Sequence, residues 1–123
     1  MNDALRHNAG KLRFDLIPVE ALEELAKVYA SGEAKYPNDP VTGIPNWRKG
    51  TRYTVNYASL LRHVFAWRRG EDTDPESGLP HLAHAAWCCF ANLVYARTGT
   101  GTDDRCGAKP DGPSESEPPE CRG

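Results

Sequence analysis

The chain lacks both a membrane-length apolar run and a strong charge of either sign. Its longest apolar stretch, residues 83–96, is interrupted by Asn92 and is too short to cross a bilayer. The 15 Lys and Arg residues nearly balance the 17 Asp and Glu residues, whereas a protein that coats DNA needs a basic surface. The first 13 residues have no apolar signal-peptide core. We therefore expect a cytoplasmic protein that binds neither membranes nor DNA directly.

The cysteines do not form the pattern of a disulfide-rich domain. Cys88 and Cys89 are adjacent within an apolar helical stretch, and Cys106 and Cys121 lie in a polar segment. This usage is typical of a reducing cytosol.

The last 26 residues lack aromatic and large aliphatic side chains. They contain four prolines and five glycines, with three basic and six acidic residues. Such a segment buries too little surface to offset the entropy of ordering. We predict a folded domain over 1–97 and a disordered acidic tail over 98–123. Because this domain is small, oligomerisation would supply additional core.

The rest of the chain reads as an extended arm over residues 10–17 followed by three helices. Pro18 suits the start of the first helix, which we expect to continue slightly past Tyr29 and to stop by Gly32. Its apolar residues recur at helical spacing: Leu22, Leu25, Val28 and Tyr29. No strand pair is evident, so the predicted fold class is all-α.

The other two helices are predicted on either side of an acidic turn. The second spans about 54–69 and ends before Gly70. Asp74 and Pro75 read as the cap and first residue of the third, which continues to about residue 97. Pro80 is expected to distort the first turns of this helix. Residues 36–50 form a long loop rich in proline and glycine.

Histidines and acids concentrate between residues 63 and 84. His81 and His84 share a helix face, and an antiparallel hairpin would bring His63 opposite them. The intervening acids are Glu71, Asp72, Asp74 and Glu76. Imidazoles and carboxylates in one place suit a divalent ion such as Mg²⁺, Mn²⁺ or Zn²⁺. Alternatively, these are ordinary helix-end histidines and a solvated, capped turn.

The first helix carries a rival acidic set. Glu20, Glu23 and Glu24 could supply metal ligands. They could equally form a solvated face, with Glu23 paired to Lys27.

A third set of side chains flanks the long loop. It comprises Lys35, Tyr36, Asn46, Trp47, Arg48 and Lys49. Cations suit phosphates, a ring suits base stacking, and an amide suits a base edge. In the alternative interpretation, Trp47 plugs the loop onto the core and the cations are solvated.

Several longer strings match a known family. They are GKLRFDLIP, GEAKY, NWRKG, LLRH and GEDTDPESGLPHLAHAAW. Over about residues 10–97 the chain resembles the phage-encoded MazG-like dATP/dGTP diphosphohydrolases, including those of phages that replace adenine with 2-aminoadenine. The resemblance implies a helical-hairpin core assembled as a homodimer or homotetramer in the infected cell. It also implies hydrolysis of dGTP, and of dATP, to monophosphate and pyrophosphate with two or more Mg²⁺ or Mn²⁺ ions.

The metal ligands of that superfamily do not transfer directly. Its usual ExxE and ExxD motifs are separated by fewer than thirty residues, whereas 47 residues separate Glu23 from Glu71 here. Aligning the hairpins instead places His63, His81 and His84 on the acidic positions. The resulting predicted metal ligands are His63, Glu71, Asp74, His81 and His84.

The expected chemistry is attack of water on the triphosphate, with Glu71 or Glu76 as the base. Lys35, Arg48 and Lys49 would hold phosphates, and Trp47 would contact the base or sugar. Two alternatives remain: a nucleotide-binding regulator without hydrolysis, and a helical interaction module with a structural zinc.

Overall fold

Three α-helices make up about half of the computed structural model, which describes residues 4–5 and 9–107. They are α1 (Val19–Lys35), α2 (Tyr53–Arg68) and α3 (His81–Thr98). Short 3₁₀ helices cover Phe14–Leu16 and Asn46–Lys49. Within the described ranges there is no β-strand, so the all-α prediction is confirmed. None of the described helices is long and apolar enough to span a bilayer.

The hairpin of α2 and α3 forms the centre of the molecule, and α1 packs against α3. Small side chains on α3 permit this close packing, because Ala83, Ala85 and Ala91 are all buried. The two hairpin helices are also joined by a partly buried amide pair, in which Asn56 Nδ2 donates to Asn92 Oδ1 at 3.0 Å. The hairpin therefore positions the side chains predicted to act together.

α1 is longer than predicted. It passes through Gly32 without interruption and ends at Lys35. A glycine inside a helix costs only about 1 kcal/mol, so neighbouring helix-forming residues override it. The actual stop is Tyr36, which is extended (φ −128°, ψ 90°). Pro37 follows it and disfavours helical geometry at the residue before itself.

α3 starts later than predicted. Its first residue is His81, with Pro80 as the capping residue, so Pro80 begins the helix rather than distorting it. Residues 74–79 form a turn in which the backbone N–H of Asp74 donates to the carbonyl of Leu79 at 2.8 Å. Proline restricts the preceding residue and lacks an N–H, so the helix starts only after it. Asp74 therefore does not cap α3, and Pro75 is not its first residue.

The segment before α1 is not a simple extended arm. It contains the 3₁₀ turn Phe14–Leu16 and exposes the large apolar side chains of Leu12, Phe14 and Leu16.

The structure describes residues 98–107 of the predicted tail, and part of this segment contacts the start of α2. The backbone N–H of Tyr53 donates to the carbonyl of Thr102, and that of Thr102 to the carbonyl of Thr51. Gly50 (φ 90°) allows this approach, because a Cβ there would lie 2.5 Å from the backbone nitrogen of Gly101. These are backbone contacts, which a composition argument cannot detect. Residues 108–123 lie outside the described residues.

The cysteines also depart from expectation at one position. Cys106 is disulfide-bonded, whereas the sequence analysis expects no disulfide. Cys88 and Cys89 are free thiols, buried and exposed respectively.

Candidate functional site

An open cleft of about 1120 Å³ is lined by the end of α1, the loop after it, and the α2–α3 hairpin. Two groups of side chains line it. We define the aromatic half as Tyr29, Trp47, Trp87 and Tyr95. We define the histidine half as His63, Asp74, Ser77, His81 and His84. From Tyr95 to His81, α3 rises about 21 Å, so the two halves occupy different parts of one cleft.

The aromatic half is organised around Trp47. Its ring centroid lies 5.8 Å from that of Tyr29 and 6.3 Å from those of Trp87 and Tyr95. The hydroxyl of Tyr95 donates to the backbone carbonyl of Trp47 at 2.5 Å. These contacts support the interpretation in which Trp47 plugs the loop onto the core. The half-buried indole still lines the cleft, so both functions predicted for it remain compatible with its position.

The histidine half contains a chain of hydrogen bonds that begins outside the cleft. His81 Nε2 lies 2.6 Å from Glu71 Oε1, and His81 Nδ1 lies 2.9 Å from His63 Nδ1. Because the carboxylate only accepts, His81 Nε2 donates to Glu71, and in neutral His81 the Nδ1 atom is an acceptor. His63 then donates from Nδ1, which leaves the lone pair on His63 Nε2 free.

His84 completes this half of the cleft. Its ring stacks on His63 with centroids 4.6 Å apart and planes 8° apart. His84 Nε2 lies 2.7 Å from Ser77 Oγ and 3.6 Å from Asp74 Oδ2. Burial lowers the pKa of His63 and of His84, and repulsion from other histidines lowers both further. Both rings are therefore neutral at pH 7, as a close imidazole stack requires.

Asp74 keeps its charge in this setting. Burial raises the pKa of its carboxyl group, but the hydrogen bonds from the backbone N–H of Glu76 and from the Ser77 hydroxyl lower it, and the net shift is downward. An ionised Asp74 thus lies beside neutral imidazoles.

The predicted metal ligands lie together, but they do not form a metal cage. Within residues 4–5 and 9–107, no group of three or more His, Cys, Asp or Glu side chains is arranged to hold an ion. The reason is visible in the hydrogen bonds, since both ring nitrogens of His81 are already used by Glu71 and His63. His81 is therefore held by hydrogen bonds on both sides of its ring, and the assignment of the five residues as metal ligands stays a prediction.

The predicted acids have different positions. Glu76 lines the cleft, and its Oε1 lies 3.1 Å from Lys35 Nζ. Glu71 contacts His81 instead of the cleft. The three acids of the first turns of α1 do not line the cleft: Glu20, Glu23 and Glu24. The proposed pairing of Lys27 with Glu23 is wrong, because Lys27 Nζ lies 2.9 Å from Glu24 one helical turn away.

Of the side chains predicted to bind substrate, four line the cleft and two do not. The four are Lys35, Tyr36, Asn46 and Trp47. The Arg48 guanidinium lies over the Trp47 indole, 4.8 Å from its centroid. Lys49 Nζ is 4.0 Å from Asp39 Oδ2. Arg48 and Lys49 therefore stabilise the loop from outside the cleft.

Sequence reasoning missed several cleft residues. They are Glu33, Asn38, Ser59 and Arg62. Helical spacing could have found Ser59, because it lies one turn before His63 on α2. Asn38 carried no such signal. Its buried Oδ1 has no hydrogen-bond partner in the described structure, which is a costly state for an amide oxygen.

Comparison with known proteins adds to this geometry. The family described as dATP/dGTP diphosphohydrolase, N-terminal, matches residues 1–105. A protein of Salmonella phage PMBT28 named dATP/dGTP diphosphohydrolase is 37% identical over 82 residues, which cover 67% of this chain. The chain spans about a quarter of that relative, since the match covers 26% of its length. No solved structure matches the chain.

The family match extends beyond the predicted domain end at residue 97 and reaches residue 105. It thereby includes the backbone contacts of Thr102 with the start of α2. Covering 105 of 123 residues, the match shows that this chain belongs to the dATP/dGTP diphosphohydrolase N-terminal family.

Proposed function

We propose that this chain hydrolyses purine deoxynucleoside triphosphates, dGTP and dATP, to the monophosphate and pyrophosphate. One observation carries the proposal: a single cleft joins an aromatic half to a hydrogen-bonded set of histidines and acids. Rings suit a purine, and a polar half suits phosphates and a reacting water. The family and the name of the phage relative support the same substrates.

In this proposal the base binds in the aromatic half. Trp47 offers a ring face there, Tyr36 offers a second ring elsewhere on the cleft wall, and Asn46 offers donors and an acceptor to a base edge. Lys35 binds the phosphates after its ion pair with Glu76 has broken. Both side chains of that ion pair are exposed, so breaking it costs little free energy.

The histidine half supplies the proton acceptor. Glu71 lies outside the cleft, so it acts through His81 by holding the ring orientation. His81 in turn holds His63 with its Nε2 lone pair free to accept a proton from the attacking water. Glu76, which lines the cleft directly, is the alternative base.

We also propose that activity requires Mg²⁺ or Mn²⁺. Three carboxylate side chains line the cleft in which the negatively charged triphosphate would bind: Glu33, Asp74 and Glu76. Like charges at close range repel, so cations between them and the substrate would relieve that repulsion. Carboxylate oxygens are the ligands that both ions prefer.

The proposed active form is a homodimer or homotetramer. Support comes from large apolar side chains that remain exposed on the hairpin, including Phe65, Trp67, Phe90 and Leu93. Analytical ultracentrifugation of the full chain tests this part, and a monomer at micromolar concentration contradicts it.

The test of function is incubation with each of the eight common nucleotides in Mg²⁺ or Mn²⁺, with products resolved by chromatography. We expect dGMP and dAMP with equimolar pyrophosphate, and no turnover in EDTA. His63→Gln removes the proposed acceptor and should reduce turnover, whereas Glu23→Ala, outside the cleft, serves as the matched control. Binding of nucleotide without turnover would instead indicate a regulator. Stoichiometric zinc without nucleotide binding would indicate a structural module.

A further inference from the structure

The cleft contains few cations for a substrate with several negative charges. Among the described residues, its Lys and Arg side chains are Lys35 and Arg62. Lys35 is engaged by Glu76 at 3.1 Å. For Arg62, the described structure shows neither an ion pair nor a side-chain hydrogen bond. Its guanidinium is therefore the cleft cation whose donors remain available.

Arg62 is also placed at the boundary between the two halves of the cleft. It precedes His63 on α2 and follows Asn56 by six residues, or about 9 Å of helix rise. The side chains of Arg62 and His63 both line the cleft. Ser59 lines the cleft one turn before Arg62. A base in the aromatic half would thus have its phosphates near Arg62.

We propose that Arg62 is the residue that binds the polyphosphate of the substrate. This inference rests on the proposed function and adds a residue that its mechanism does not use. A guanidinium presents a planar fork of donors that matches two phosphate oxygens, which a lysine ammonium does not. Arg62 binds the phosphates without first breaking an ion pair, and Lys35 joins it after release from Glu76.

Binding measurements can separate phosphate recognition from the reaction. The probes are the α,β-methylene analogue of dGTP, which resists hydrolysis at the expected bond, then deoxyguanosine, then inorganic tripolyphosphate. Each is titrated by calorimetry into the full chain in Mg²⁺. The variants are Arg62→Ala and Arg62→Lys, with Arg68→Ala as the control on the same helix, because Arg68 is exposed and does not line the cleft.

We expect Arg62→Ala to weaken binding of the analogue and of tripolyphosphate by about 10- to 100-fold, the usual range for a lost charged hydrogen bond. Deoxyguanosine binding should change less than about twofold, and Arg62→Lys should recover part of the loss. Equal weakening for nucleoside and nucleotide, or no weakening, overturns the inference.

Failure of the proposed function has a different signature. A wild-type chain that turns over dGTP while Arg62→Ala binds the analogue normally refutes the inference alone. A wild-type chain that binds tripolyphosphate through Arg62 but hydrolyses no nucleotide refutes the function and supports the inference. Wild-type protein that binds neither phosphate probe refutes the inference. Circular dichroism confirms that each variant is folded.

Discussion

Replacement of Asp104 by alanine should destabilise the domain although Asp104 lies in the predicted tail. The first residues of α2 have no side-chain cap of their own. Asp104 supplies one from 50 residues away, since its Oδ1 accepts from the Thr54 N–H at 3.0 Å and its Oδ2 from the Thr54 hydroxyl at 2.5 Å. A carboxylate at a helix N-terminus also interacts favourably with the helix dipole.

The magnitude follows from these two contacts. Loss of an N-cap costs about 1 kcal/mol, and loss of the dipole interaction adds a few tenths. We expect Asp104→Ala to lower the free energy of unfolding by about 1–2 kcal/mol. For a domain of this size that is a drop in Tm of about 5–10 °C. Thermal unfolding followed by circular dichroism at pH 7 measures it.

The effect should depend on pH in a defined direction. Burial raises the pKa of Asp104, but the hydrogen bonds from Thr54 lower it more, so its pKa in the folded state lies below the ordinary value. A lowered pKa stabilises the fold above the unfolded-state value of about 3.9, and that stabilisation is lost as pH falls through the folded-state value. The Tm difference between wild type and Asp104→Ala should therefore shrink below about pH 4.

Asp103→Ala is the matched control, because within the described part of the chain the carboxylate of Asp103 pairs with Arg105 at the surface and makes no contact with α2. Its Tm should equal that of wild type within error. Equal effects of the two substitutions, or a pH-independent effect of Asp104→Ala, would refute the capping argument.

Three further predictions follow from the site and the chain ends. Truncation after residue 97 should lower the Tm, because it removes the contacts of Thr102 and Asp104 with the start of α2. Truncation after residue 107 keeps those contacts and should leave the Tm unchanged. Thermal unfolding of both truncated chains tests this. Trp47→Ala should lower the free energy of unfolding by about 2–3 kcal/mol, because it removes the indole that packs against three other rings. An unchanged Tm in thermal unfolding would indicate that Trp47 only stacks on the base. His84→Ala and Asp74→Ala should each abolish dGTP turnover while Glu23→Ala retains it; kinetic assays showing wild-type rates for the first two would contradict the site.

Local sequence was sufficient for the helices and for part of the site. Apolar spacing placed α1, and the run from His81 onward placed α3, because helical periodicity is a short-range property of the chain. The same periodicity put His81 and His84 on one face. An antiparallel hairpin predicts that His63 lies opposite these two residues, and the ring of His63 does contact those of His81 and His84.

The ends of the helices are harder to predict than the helices themselves, although the residues that set these ends are also local in the sequence. The sequence pattern predicts a helix end at Gly32 and a helix start at Pro75, whereas Pro37 and Pro80 set the actual ends. A proline restricts the residue before it, whereas a glycine merely permits an ending. Weighing these two effects against each other would have corrected both boundaries from sequence.

Only tertiary structure decided which side chains meet across long sequence separations. The pairing of Lys35 with Glu76 spans 41 residues, and the cap from Asp104 to Thr54 spans 50. It also decided that both ring nitrogens of His81 take part in hydrogen bonds, and that Arg62 lines the cleft without an ion-pair partner among the described residues. These contacts depend on how the helices and loops are placed relative to one another. No short-range pattern encodes that placement, because the two residues of each contact lie far apart in the sequence.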